Sequence, residues 1–543
     1  MKRLLSLLLA LAMLLGLTAC GGSSTSAVSG AAGPGAKADS AATEAKQDTP
    51  ADPGPQDDTP APAEDSGEPK ELRVGTLDST DNFDPCSNSD CGLGLMLVYD
   101  TVLKLNYETM EVEPCIATEW NWVDDTTLEL TIREGVTFSN GDPLTPDDVL
   151  YSLSRFVFEN DQFDPGYNVI DFDASGVDGS KLTLKLKEVD ADFLLELTND
   201  RWASVVNEEY VKANPGSFWD APCGTGPYTC VENVDGSHST YQRREDYWGE
   251  LPSASTITVQ NYSELTTMMA DFETGALDLA LDVGETDYLT AVDGGYGDDV
   301  QGKTFKTWDL LALCLPQYMD MFQDAKLREA ISLSIDTQAI TNAVYGSMGQ
   351  VADSILIDGC DYYEPIGVHE YNPEKAKQLL KEAGYENGLD MKVVIPSMPA
   401  NDKCAEIIQA YFADVGINLT VESYDFATAI PILMSNGTDI SIFGTGGGTY
   451  TAKMITTTIG ETSTNGGARV EDREFNDYLN AAATTQDTKV RQENYTKAAQ
   501  WAFDNYWTLP ISYAEAGSIY HSNISNVTGL VARSVDLAAV VVS

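Results

Sequence analysis

The chain changes composition near residue 70, and that break decides which part of it can fold. Residues 21–70 are Gly, Ser, Ala, Thr, Pro, Asp and Glu, with almost nothing to bury. Such a stretch cannot offset the entropy of ordering a backbone, which predicts a disordered tether. From Glu71 to Ser543 the composition is globular, and more than 470 residues follow the break. That is more than one compact core holds, so two or more lobes are expected.

Ahead of the tether, Lys2 and Arg3 precede an apolar run from Leu4 to Leu17. The run is too short and too early for an ordinary span and fits a secretory signal. It ends in Leu17-Thr18-Ala19-Cys20, where small residues suit a signal peptidase and the Cys thiol is the nucleophile able to accept a diacylglycerol. This resembles a bacterial lipobox, making residues 1–20 a lipoprotein signal peptide and Cys20 the lipidation site. A plain signal peptide with a chance Cys is the alternative. Export permits disulfides. Cys86 with Cys91 and Cys223 with Cys230 are close enough for local bridges, and buried free thiols are the other reading.

The formal net charge is −53, and few of the charges precede Lys70. An acidic folded body excludes nucleic acid as a partner, since phosphates need Lys and Arg. It suits a solvated, soluble surface and, secondarily, a cationic ligand. With three His and no Cys-x-x-Cys, no metal site is expected. No Gly-x-Ser-x-Gly elbow or His-Glu-x-x-His helix is present, so an enzyme is not expected, nor is any cofactor.

Strand and helix signals alternate through the body. Leu128, Leu130 and Ile132 alternate with polar residues, as do Leu182, Leu184 and Leu186. Thr145-Pro146-Asp147-Asp148 reads as a capping box with Pro at the first helical position. Asn372-Pro373 opens a helix whose apolar stripe is Ala376, Leu379, Leu380 and Ala383, and Gly384 ends it. Asp324 precedes a similar stripe, Leu327, Ala330, Ile331 and Ser334. Ile408, Tyr411, Phe412 and Val415 repeat it before Gly416, and a strand follows over 417–421.

Periodicity alone stops at a large exported α/β protein. A series of motifs in order goes further. Leu72-Arg73-Val74-Gly75-Thr76 leads to Phe83-Asp84-Pro85, then Val98-Tyr99-Asp100-Thr101-Val102, which looks like a helix. Pro114 to Trp120, Ile132-Arg133-Glu134-Gly135-Val136-Thr137-Phe138 and Gly141 to Val149 follow. Further on come Gly224-Thr225-Gly226-Pro227-Tyr228, Asp246-Tyr247-Trp248-Gly249, Gly275 to Asp278, Leu327 to Asp336 and Asn372 to Gly384. Together these resemble the family 5 extracellular solute-binding proteins, the peptide- and nickel-binding components of ABC importers. The likeness runs from about residue 71 to about residue 530. Most of these residues identify a fold and not a ligand: Trp120, Trp248 and Phe138 read as packing residues, and Arg133 as part of a buried ion pair.

The resemblance implies an α/β fold, a two-lobed clamshell of the periplasmic-binding-protein type II kind with an additional third domain. Residues 71–97, 220–303 and 508–543 would form lobe I, 98–219 an accessory domain packed on it, and 304–507 lobe II. It implies a non-enzymatic, monomeric protein that captures a small solute, foremost a peptide, and delivers it to a membrane permease with its ATPase subunits. The protein would sit on the extracytoplasmic face of the membrane through its N-terminal lipid, the long tether favouring a Gram-positive surface over a periplasm. Asp81, Asn82 and Phe83 would face the cleft from the loop after the first strand, and Thr445 and Tyr450 from the other side. Trp202 and Trp308 are candidates to stack on a ligand. The Gly-rich stretch Gly444 to Gly448 would bring backbone N–H groups near it. Peptide-binding members carry an Asp-Tyr-Pro near this point, which is absent here. An oligosaccharide or metal chelate as ligand, and a surface sensor built on the same fold, are the competing readings.

Overall fold

The computed structural model describes residues 69–78, 82–86, 92–107, 109–159, 166–445, 452, 454–461, 463, 469–530 and 535–543. The signal peptide, Cys20 and the tether up to residue 68 lie outside them, as do Asp81, Cys91 and Tyr450.

Among the described residues the largest sheet has nine strands. In chain order they are β1 (Glu71–Thr76), β2 (Tyr228–Val234), β3 (His238–Arg243), β4 (Thr256–Asn261), β5 (Leu279–Val283), β6 (Val300–Cys314), β7 (Gly349–Val351), β8 (Ser441–Thr445) and β9 (Thr508–His521). Their spatial order is β8-β6-β9-β5-β1-β4-β3-β2, with β7 also on β9. β1 pairs in parallel with β4 and β5, and most of its residues are buried. Leu72 and Val74 of β1 and Ile257 and Val259 of β4 are fully buried, alternating with more exposed residues.

Strands β6 and β9 carry the architecture. They run antiparallel from Val300–His521 to Cys314–Thr508. Along one half, β9 also pairs with β5 through Gly517, Ile519 and Tyr520. Along the other half, β9 pairs with β7 through Ser512, Tyr513 and Ala514, and β6 pairs with β8 through residues 310–314. The register breaks between: Lys306 lies opposite Glu515 and Leu310 opposite Tyr513, so Thr307, Trp308 and Asp309 stand against Ala514 alone. This is a β-bulge, which bends its strand and re-aims its side chains. The domain boundary expected at 303/304 falls inside β6.

Three main cores lie around this frame. One gathers Leu72, Val74, Tyr241, Ile257, Val259 and Leu279. A second gathers Leu128, Leu130, Ile132, Val149, Leu153, Phe156 and Leu184. The third and largest includes Leu311, Leu327, Ile331, Leu380, Val393, Ile408, Phe412, Tyr495 and Ile511. The second belongs to a separate four-stranded sheet of Ala117–Asp124, Thr127–Ile132, Lys181–Lys185 and Gly176–Asp178.

The local signals act as read. The helix Pro146–Phe158 starts in a full capping box: Thr145 accepts from Asp148 N, and the Asp148 carboxylate accepts from Thr145 N at 2.8 Å. Asn372 caps Pro373–Glu382, and Asp324 caps Ala325–Leu333. Pro399–Val415 ends at Gly416, whose φ of 93° is a left-handed cap that a Cβ would strain. The strand Ile417–Tyr424 then pairs in parallel with Leu389–Pro396. One expectation is corrected. The helix spans Gly92–Val98, so Val98 to Val102 is its end and exit, with Thr101 bridging to Ser204.

The Cys223–Cys230 bridge does not form: both are free thiols, as are Cys115, Cys314, Cys360 and Cys404. Cys223 is buried in the core of Leu128 and Phe156, whereas Cys230 sits half-buried on β2 beside the core of Leu72.

Candidate ligand-binding site

The bulge in β6 is where two of the candidate residues meet. Thr445 ends β8 directly opposite Leu310, and Trp308 precedes Leu310 by two residues. The backbone thus brings Trp308 and Thr445 to one place on adjoining strands. Gly444 belongs to β8 opposite Leu311, so the Gly-rich stretch begins as strand. Thr307 is fully buried, and its hydroxyl donates to the Ala514 carbonyl at 3.0 Å, closing the bulge.

Residues 353–363 pack beside it. The Tyr513 hydroxyl accepts from Ser354 N at 3.0 Å and donates to the Leu356 carbonyl at 2.8 Å. Burial raises the ionisation of Tyr513 far above its ordinary range, so it stays a neutral donor. Tyr363 donates to Asp353 at 2.7 Å, and Lys306, next to the bulge, pairs with Asp358 at 3.0 Å. Asp439, just before β8, is committed to structure: its carboxylate accepts from Lys392 N at 2.8 Å.

On the β1 side, Asn82 is half-buried and its side-chain oxygen accepts from Asp84 N at 2.9 Å, a local turn. Phe83, expected to face the cleft, is buried instead, edge-on to Tyr241 with ring centroids 6.3 Å apart. A ring that size is worth more in the core than against solvent, so it anchors the loop. Trp202 is half-buried against the second core, and its backbone N–H donates to Asn199 Oδ1 at 2.9 Å. Beside it, burial pushes the Asp200 carboxyl up to about 6, against the hydrogen bond that Tyr107 donates to it.

Several motifs converge on one polar cluster. Asp100 is buried; Tyr247 donates to it at 3.0 Å and Trp248 Nε1 at 2.8 Å, and its own N–H donates to Thr225 Oγ1 at 3.3 Å. Burial pushes this carboxyl up, and the hydrogen bonds hold it down. Arg133 is not in the expected ion pair: its guanidinium lies 4.3 Å over the Trp248 ring while Nε donates to the Cys115 carbonyl. These motif residues pack and hydrogen-bond one another, which holds this part of the fold together. The bulge left only a faint signal in the sequence, the change at Thr307-Trp308-Asp309 from a polar half-strand to the apolar run Leu310 to Cys314. Tyr513 and Asp353 had none.

Among the described residues there is no group of three or more His, Cys, Asp or Glu placed to hold a metal, and no helix long and apolar enough to cross a membrane. What the arrangement offers is separately cored bodies joined by a bulged pair of strands, with aromatic and hydroxyl residues at the joint. Separately cored regions sharing one strand pair are a common build among proteins that bind a solute in a cleft.

Comparison with known proteins agrees. The chain belongs to the bacterial extracellular solute-binding proteins, family 5, whose middle-region model matches residues 111–467. Heme-binding protein A of Haemophilus influenzae is 25% identical over 450 residues, covering 77% of this chain and 82% of that protein. A dipeptide-binding protein of Pseudomonas aeruginosa is 24% identical over 484 residues, covering 82% and 90%. Among solved structures, the dipeptide-binding protein of Pseudoalteromonas sp. SM9913 in complex with Met-Leu superposes with a TM-score of 0.75 at 22% identity, over 87% of this chain and all of that one. The fold is therefore a type II binding-protein clamshell, and the chain is an extracytoplasmic solute-binding protein, not an enzyme.

Proposed function

We propose that this protein captures short peptides at the β6 bulge and delivers them to an ABC permease. The observation that supports the reading is the bulged β6–β9 pairing, with Trp308 in the bulge and Thr445 opposite Leu310 beside it. Lobe I would comprise 71–97, 220–303 and 508–543, with 98–219 as accessory domain and 304–507 as lobe II. Trp308, Trp202, Thr445, Tyr450, Asp81 and Asn82 are the proposed ligand-facing residues, Phe83 supporting them from the core. Peptide-binding relatives support a peptide, and without an Asp-Tyr-Pro the free amine would be met by a different group. Similarity to a heme-binding protein favours a metal chelate as the second reading. The protein would be a monomer held to the membrane by lipid on Cys20, at a Gram-positive surface; Cys20→Ser should then move it from the membrane to the soluble fraction.

The test is thermal unfolding of the purified protein with di- to hexapeptides, metal chelates and oligosaccharides in parallel. A ligand that binds only the folded state stabilises it by about 2.7 kcal/mol at 100 times its Kd. A melting rise of several degrees with peptides, lost in Trp308→Ala, is the expected result. A rise in another panel and none with peptides would transfer the assignment to that solute class.

A further inference from the structure

The second and third cores touch at a place remote in sequence from the bulge. Asp192 caps the short helix Phe193–Glu196, yet its side chain makes no capping hydrogen bond. It is fully buried and turned to Arg491, on the helix Thr488–Asn505, with Nη2 to Oδ1 at 2.5 Å. The Arg491 side chain is 5% exposed. Its other donors are used as well: Nε reaches the Ala482 carbonyl at 3.2 Å and Nη1 the Ala191 carbonyl at 3.4 Å. Ala191 N–H donates to the Ala483 carbonyl at 3.2 Å. The last carbonyls of the helix Arg473–Ala483 are thus satisfied by Arg491 and by a backbone donor some 290 residues earlier. Tyr362 lies under the guanidinium at 4.6 Å and stacks on Tyr495 at 5.4 Å. Asp361 is close by, its carboxyl raised by burial and then by the charge of Asp192.

These contacts join Phe193's core to Tyr495's core, and no strand of the large sheet takes part. A buried ion pair is expensive to form and more expensive to break singly. Set across two regions that a bulged strand pair allows to move, it acts on their separation. We propose that Asp192 and Arg491 form a latch between residues 188–199 and the two helices Arg473–Ala483 and Thr488–Asn505, biasing the protein toward its closed form before any ligand arrives. Rotation about the bulge parts the Asp192–Arg491 pair and the Ala191–Ala483 hydrogen bond together. The latch therefore sets the closed fraction, and apparent affinity scales with that fraction.

The latch rests on the hinge reading, and its main readouts are taken on the ligand-free protein. Asp192→Asn keeps shape and one hydrogen bond while removing the charge; Arg491→Lys keeps the charge and loses the fork. Hydrogen exchange and small-angle scattering of the full ligand-free chain are compared with wild type. Each variant is expected to raise exchange about tenfold in peptides spanning 188–195 and 480–493, with exchange in β1 and in Pro399–Val415 unchanged, and to increase the radius of gyration. Faster exchange throughout the third core would make the pair an ordinary structural one and overturn the latch. An unchanged radius would overturn it too. In that case, compaction of wild type or of either variant when a peptide from the thermal screen is added keeps the hinge and discards the latch alone, and compaction in none of the three removes both.

Discussion

Arg155→Ala should cost about 3–5 kcal/mol of stability, the range for removing one partner of a buried ion pair. The Arg155 side chain is 5% exposed and that of Asp84 15%, and the pair is bidentate: Nη1 to Oδ1 at 3.0 Å and Nη2 to Oδ2 at 3.2 Å. Nε binds Glu159, and the guanidinium lies 4.8 Å over the Phe218 ring. Truncation removes all of this at once and leaves the Asp84 carboxylate facing the space, beside Cys86 whose thiol burial already pushes up to about 12. The expected signature is non-additivity. Arg155→Met alone should be nearly as damaging as the alanine variant. Adding Asp84→Asn should recover part of the loss, because the uncompensated charge goes with it. Urea unfolding of the two singles and the double reads this. A loss under about 1 kcal/mol would place the pair among solvated surface bridges, against its burial. Because Asp84 also accepts from Cys86 N, loosening it frees the loop that carries Asn82 and Phe83, so ligand-induced stabilisation should fall as well.

The helices capped by Thr145, Asp324 and Asn372 were legible because a cap, a Pro and an apolar stripe act within a dozen residues. The family likeness supplied the fold class, since motifs in order carry topology that periodicity does not. The register of β6 on β9 was not legible: its pairs join residues some 200 apart, and nothing local specifies where three residues will face one. Val98 to Val102 looked helical from its resemblance, but Asp100 is worth more turned inward to Tyr247 and Trp248 than on a helix surface. Thr445 pairs opposite Leu310, two residues past Trp308, a proximity that strand pairing sets and no local pattern carries. Phe83 was chosen for its loop, and its apolar surface decided its burial instead. The Asp192–Arg491 pair left no trace in the sequence, because each partner alone is an ordinary charged residue near a helix end.

Gly224→Ala should be still more damaging, and the reason lies in the Gly-Thr-Gly-Pro-Tyr motif itself. A Cβ on Gly224 would lie 2.0 Å from the Val98 carbonyl oxygen and 2.7 Å from the Tyr99 ring; one on Gly226 would lie 2.6 Å from the Val98 carbonyl carbon. Neither backbone is free to yield. Gly226 N–H donates to that Val98 oxygen at 2.9 Å, Ser139 N–H donates to the Gly224 carbonyl at 2.9 Å, and Arg244 Nη1 lies 3.3 Å from both glycine carbonyls. Overpacking against movable side chains costs about 1–3 kcal/mol, and a clash with pinned backbone exceeds that. The expected result is that Gly224→Ala yields little folded protein. Gly92→Ala is the matched control: it opens the helix Gly92–Val98, and nothing lies within 4 Å of its added methyl. There the loss of chain entropy in the unfolded state should leave the protein unchanged or stabilise it by about 0.4–1 kcal/mol. Melting temperatures and soluble yields of the two variants decide the matter. Equal stability would mean that the Gly224 loop does not approach Val98 as closely as the fold requires. A wide gap would show that this motif is kept for backbone contact between the helix exit at Val98 and the start of β2, and owes nothing to the ligand.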